Sequence, residues 1–137
     1  MLQKQNIKLN TMSYTAVPHL VAEHQDWLKA VDFYDNELDI LENRLAEVAQ
    51  KNTGIDTMKG VEHFQNQFII QRNSIDELRH NINEHAHKAM LDLKEHVGRV
   101  ESQQVAEHKK IKDEFESFEK VINELRDEFN LFLVKWM

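Results

Sequence analysis

A chain of 137 residues with 41% hydrophobic residues, 30% charged residues and a formal charge of −7 has the size and mix of one helical domain. Three Gly and one Pro are too few turn formers for an all-β fold, and the absence of Cys excludes a disulfide framework, thiolate-held zinc and a cysteine nucleophile. Lys and Arg are scattered among Asp and Glu with no basic stripe, which argues against nucleic acid, and the longest apolar run, Leu131 to Val134, is far too short to cross a bilayer.

The opening MLQKQNIKLNTM has no apolar h-region, so no secretory signal is expected, and Met12 offers a second start. Together with the lack of Cys this points to a reducing, cytoplasmic compartment. Residues 1–17 are expected to form a flexible N-terminal segment. Residues 18–137 are expected to form a single helical-bundle domain.

The first helix is predicted over about 18–52, with Pro18 in its first turn, where a missing N–H is harmless. Its apolar stripe runs Leu20, Trp27, Val31, Tyr34, Leu38, Leu41, Leu45, Val48. From Trp27 onward the steps alternate 4 and 3, the spacing of a coiled-coil seam. Gly54 then fits the left-handed residue that closes a helix.

The second helix is predicted over about 56–97. Its stripe runs Val61, Phe64, Phe68, Gln71, Ile75, Leu78, Ile82, His85, Ala89, Leu93, His96. Ser74 to Glu77 reads as a capping box, which would split the segment and give a four-helix bundle. The stripe keeps its phase through residue 74 and no Gly or Pro lies there, so one continuous helix is the favoured reading. Gly98 fits a second helix end.

The third helix is predicted over about 101–136, with Val105, His108, Ile111, Phe115, Phe118, Ile122, Leu125, Phe129, Phe132 and Trp136 on its stripe. Short loops force neighbouring helices to run antiparallel. The fold class is therefore all-α, an antiparallel up-down-up three-helix bundle with coiled-coil (heptad) packing. Leu28, Phe33, Ile40, Ile69, Ile70, Leu131 and Leu133 lie off the seams, and burying them would favour a homo-oligomer. The closing FNLFLVKWM makes Leu131, Leu133, Val134 and Trp136 the candidate interaction residues.

ELRHNINEHAHKAM contains Glu-x-x-His twice, as Glu77 with His80 and Glu84 with His87, a spacing that holds metals inside some helical bundles. At 100° per residue, however, these four lie about 140 to 180° from the seam. They are read as a polar face. The inward histidines are His24, His85, His96 and His108. Reflecting the chain about Gly54 brings residue 24 level with residue 84, and reflecting it about Gly98 brings residue 108 level with about 90. His24, His85 and His108 are thus candidate ligands for zinc or iron, with Asp92 and His96 as further candidates and Glu23 as a neighbour. The opposing reading is that they are core histidines that set helix register.

Hemerythrin, another His-rich helical bundle, fails as a template. His63 is followed by Gln67 where that pattern needs Glu, no His-x-x-x-His occurs, and Asp113, correctly spaced from His108, points off the seam. HFQNQFIIQRNSIDELRH (residues 63–80) and the closing FLVKWM resemble a set of short, uncharacterised bacterial helical-bundle proteins. That resemblance runs from about Val17 to Met137. It implies a helical bundle and carries no activity.

No phosphate-binding glycine loop, Ser–His–Asp arrangement or dinucleotide fingerprint appears, so catalysis is not expected. The leading reading is a structural module that self-associates or binds a protein partner, with neither nucleic acid nor membrane involved. The second is a metal-binding bundle. No cofactor other than zinc or iron is expected.

Overall fold

The structure, a computed structural model, describes residues 2–95 and 102–137, with side chains described for 19–92 and 103–137. It is all-helical, with three helices: α1 (Leu2–Lys51), α2 (Ile55–Glu95) and α3 (Ser102–Trp136). No strand occurs among the described residues. Among them, too, no helix is long and apolar enough to cross a membrane.

Two boundary expectations are corrected, and one is met. Helix α1 begins at Leu2 rather than at Pro18, so Pro18 sits inside it. An interior proline removes one ladder bond, and the helix carries that loss. Helix α2 runs unbroken through Ser74, as the favoured reading expected, and the capping-box sequence opens no new helix there. Gly54 is not the left-handed residue closing α1; its backbone lies outside that region. Its carbonyl accepts the amide of Met58 at 3.0 Å, which makes Gly54 the N-cap of α2. Asn52 closes α1 instead. Its amide N–H and its Nδ2 both donate to the Val48 carbonyl (3.0 and 3.2 Å), and Nδ2 also donates to the Trp136 carbonyl at 3.0 Å. The Asn52 side chain thereby adds a second donor at the Val48 carbonyl and supplies one to the Trp136 carbonyl at the end of α3. Gly98 lies outside the described residues.

Within each helix the buried positions keep the 4-3 spacing, with two differences from the expected stripes. Thr57 is buried, one step before Val61. Gln104 is buried where Val105 was expected, and Val105 is only half-buried. Steps of 4 and 3 from Gln104 through His108 to Ile111 hold the stripe in place. Two successive steps of 3 from Val105 drift off it.

The chain divides into two compact units, the first made of residues 1–30 and 78–115, the second of 31–77 and 116–137. The interior of the second is mainly hydrocarbon, with Thr57 and Gln71 as its buried polar residues. Leu38, Ile75, Ile122 and Phe129 are fully enclosed, and Phe129 packs edge-on against Phe64 and Phe68 (5.1 and 5.2 Å between ring centres). Gly60 belongs to this packing, because a Cβ there would overlap the Phe132 ring. Several polar groups of this unit bind each other. Arg72 of α2 reaches Asp35, Asp39 and Glu42 of α1, and Arg126 of α3 reaches Glu37 at 2.6 Å. The Tyr34 hydroxyl donates to Glu119 at 2.7 Å. Burial, reinforced by that carboxylate, pushes the phenol up to about 12. The first unit is built differently.

Candidate metal centre

The first unit buries a histidine cluster where the second buries mainly hydrocarbon. His24 of α1, His85 of α2 and His108 of α3 stand on the buried stripes of their helices, 6%, 2% and 6% exposed. One ring nitrogen from each lies within 4.8 Å of the other two. The closest pair, His108 Nδ1 and His24 Nε2, is 3.2 Å apart. Zinc bonds of about 2.0–2.1 Å arranged tetrahedrally put ligand nitrogens about 3.3 Å apart. Two of the three are therefore already at ligand spacing, and the third needs a displacement of at most about 1.5 Å to join them.

Aromatic packing fixes two of the rings. The Trp27 ring lies 4.6 Å from His108 and 5.7 Å from His24, and Phe115 backs Trp27 at 6.1 Å. The hydrogen bonds then fix the tautomers. Glu23 can only accept, so His108 Nε2, 3.2 Å from Glu23 Oε1, carries the proton. His108 Nδ1 is left with a lone pair, which accepts the Nε2–H of His24. His108 thus presents a ligand nitrogen without any change of tautomer, whereas His24 must shift its proton from Nε2 to Nδ1 before Nε2 can bind metal. A carboxylate on the far side of the ring is the usual support of a metal-ligating imidazole. Glu23 is held in turn by His19 Nε2 at 2.9 Å.

His85 is the exception. Neither of its ring nitrogens has a hydrogen-bond partner. The nearest carboxylate, Glu107 Oε2, is 3.7 Å from Nδ1, beyond hydrogen-bond reach. The only other buried side-chain atoms without a partner among the described residues are Asp92 Oδ2 and Gln104 Oε1, also in the first unit. Each such atom costs about 1–3 kcal/mol of lost hydration.

All three imidazoles resist protonation. Burial, then the neighbouring His85 and His108, lowers His24 to about 4. Burial, then His108, lowers His85 against the opposing pull of Glu107 and Gln104. Burial also lowers His108, against the opposing pull of Glu23. Neutral imidazole is the form that binds metal.

The remaining candidates fall outside this group. Asp92 is half-buried, and its carboxylate does not join the three gathered nitrogens. His96 lies outside the described residues. Glu77, His80, Glu84 and His87 are all exposed, and His80 pairs with Glu84 at 3.2 Å, as a polar face does. Two neighbours escaped the sequence reading. His19 sits one turn before Glu23, and Glu107 directly precedes His108.

At the candidate interaction end, Leu131 and Val134 are 73% and 85% exposed, while Leu133 and Trp136 are half-buried. Compared with protein families, with curated proteins and with solved structures, the chain matches none.

Proposed function

We propose that the protein binds a divalent transition metal, zinc before iron, through His24, His85 and His108. The observation that carries this reading is His85, a fully buried imidazole with both nitrogens unpartnered and two further imidazoles beside it. A histidine that only set helix register would use its nitrogens. Three neutral nitrogen donors without a thiolate suit a borderline ion, and the affinity order places zinc above iron(II). Glu23, beside His108, and Glu107, beside His85, offset the ion's charge. Zinc held by three imidazoles keeps one position for water or another donor, where a bound water becomes acidic. The proposal includes an antiparallel, heptad-packed three-helix bundle and a cytoplasmic setting.

Elemental mass spectrometry on untagged protein purified without chelator tests it. About one equivalent of zinc is expected, and its loss in His85→Ala and His108→Ala. Metal-free protein that takes up none on addition would end this reading.

A second reading, self-association, is favoured by apolar side chains in solvent. Phe33, Ile40, Leu131 and Val134 are all more than half exposed. It expects a mass that rises with concentration and falls back in Leu131→Asp. A monomeric mass for the wild type at high concentration would count against it.

A further inference from the structure

The metal reading leaves His85 incompletely supported. A ligating imidazole donates its second N–H to an acceptor that holds the ring's tautomer and orientation. Glu23 fills that role for His108 at 3.2 Å. For His85 the corresponding carboxylate is Glu107, whose Oε2 stops 3.7 Å from Nδ1. Glu107 has somewhere to move. It lines an open cleft of ≈170 Å³ with Glu84, Lys110 and the edge of His85 itself. Its side chain is 37% exposed, so its rotamers are not locked by packing. Glu84, on the same cleft, is already engaged by His80 at 3.2 Å and Lys88 at 3.8 Å.

We infer that Glu107 is the positioning residue of the site: it closes on His85 Nδ1 when metal is bound, and so commits Nε2 as the third ligand nitrogen. This rests on the three-histidine reading and gives it a direction. The displacement of about 1 Å that completes the Glu107 contact turns an idle buried ring into a ligand. The two carboxylates then play equivalent parts, Glu23 fixed beforehand and Glu107 recruited on binding.

Zinc(II) titration of the full chain, in competition with a chromophoric chelator, tests the assignment. Glu107→Ala should weaken zinc binding by about 10–100-fold, the usual effect of removing such a support. Glu107→Gln, which keeps an acceptor oxygen but no charge, should fall between. Glu84→Gln should leave the affinity unchanged. In the zinc-loaded protein, the His85 Nδ1 proton should be visible by NMR and lost in Glu107→Ala. Wild-type affinity in Glu107→Ala would overturn the inference, as would an equal loss in Glu84→Gln, which would reduce the effect to the general charge of the cleft. If wild type binds no zinc, or His85→Ala binds it equally well, the three-histidine reading itself fails and takes this one with it. Because Glu107 is partly exposed, unchanged helicity of the metal-free variants separates a lost contact from a lost fold.

Discussion

Acidifying the metal-free protein from pH 7 toward pH 4 should strip several kcal/mol of stability from the first unit. The cause is the burial of three neutral imidazoles. His24 falls from an ordinary 6.5 to about 4, chiefly through burial and then through His85 and His108. Between those two values the unfolded chain binds a proton that the folded chain refuses. Stability therefore rises with pH across the window and is fully present above about 6.5. It is lost as pH falls through the unfolded value, and the loss levels off near the folded one. A shift of that size corresponds to about 3 kcal/mol at its limit. His85 and His108 are lowered too and act with the same sign. Much of the effect comes above pH 5, ahead of the midpoints near 4 at which ordinary carboxylates are half protonated. Trp27 reports it locally, since its ring touches both His24 and His108. In a Trp136→Phe background, its fluorescence should give a thermal midpoint that falls steadily from pH 7 to 4.5. A midpoint that stays flat over that range would show that the imidazoles are hydrated or already paired, and would remove the electrostatic part of the argument.

The three histidines were legible because two simple rules agree on them. Each stands on an apolar stripe of 3.5-residue spacing, and reflecting the chain about its glycines places them at nearly one level. Glu23 came with them as a neighbour of His24. Asp92 was named by the same reasoning and does not join the gathered nitrogens, because the levels carry an uncertainty of about a helical turn, roughly 5 Å. A ligand must be right to a fraction of that. Glu107 was invisible for another reason. It stands off the stripe, and its approach to α2 depends on the rotation of α3 about its own axis, which no spacing fixes. The Arg72 contacts with Asp35, Asp39 and Glu42 are of the same kind, one long side chain reaching a neighbouring helix. Gly54 misled because glycine serves at either end of a helix. Its carbonyl caps α2, while Asn52 performs the closure expected of it.

Replacing His85 with leucine should stabilise the metal-free protein and abolish its response to zinc. The two parts of this prediction have opposite signs, which is what makes it decisive. In the metal-free state His85 buries two nitrogens without a close hydrogen bond, the nearest carboxylate standing 3.7 Å off, at a cost of about 1–3 kcal/mol for each group left unsatisfied. Leucine has a similar volume and no polar atom. It would rest among Ile82, Ala89 and Ile111, all buried in the same unit, without leaving a large cavity. A gain of about 1–3 kcal/mol is expected, read as a rise of several degrees in melting temperature. Saturating zinc should close most or all of that gap. At a hundred times its dissociation constant, a ligand stabilises the folded state by about 2.7 kcal/mol. Wild type would receive that stabilisation and His85→Leu would not. A residue kept for structure behaves otherwise: losing it lowers the melting temperature with and without zinc alike. If His85→Leu melts below wild type in the absence of metal, the ring is contributing to the fold through contacts its unpartnered nitrogens do not reveal. If it melts above wild type and zinc closes the gap, the histidine is retained against the interest of stability, the usual signature of a residue kept for binding.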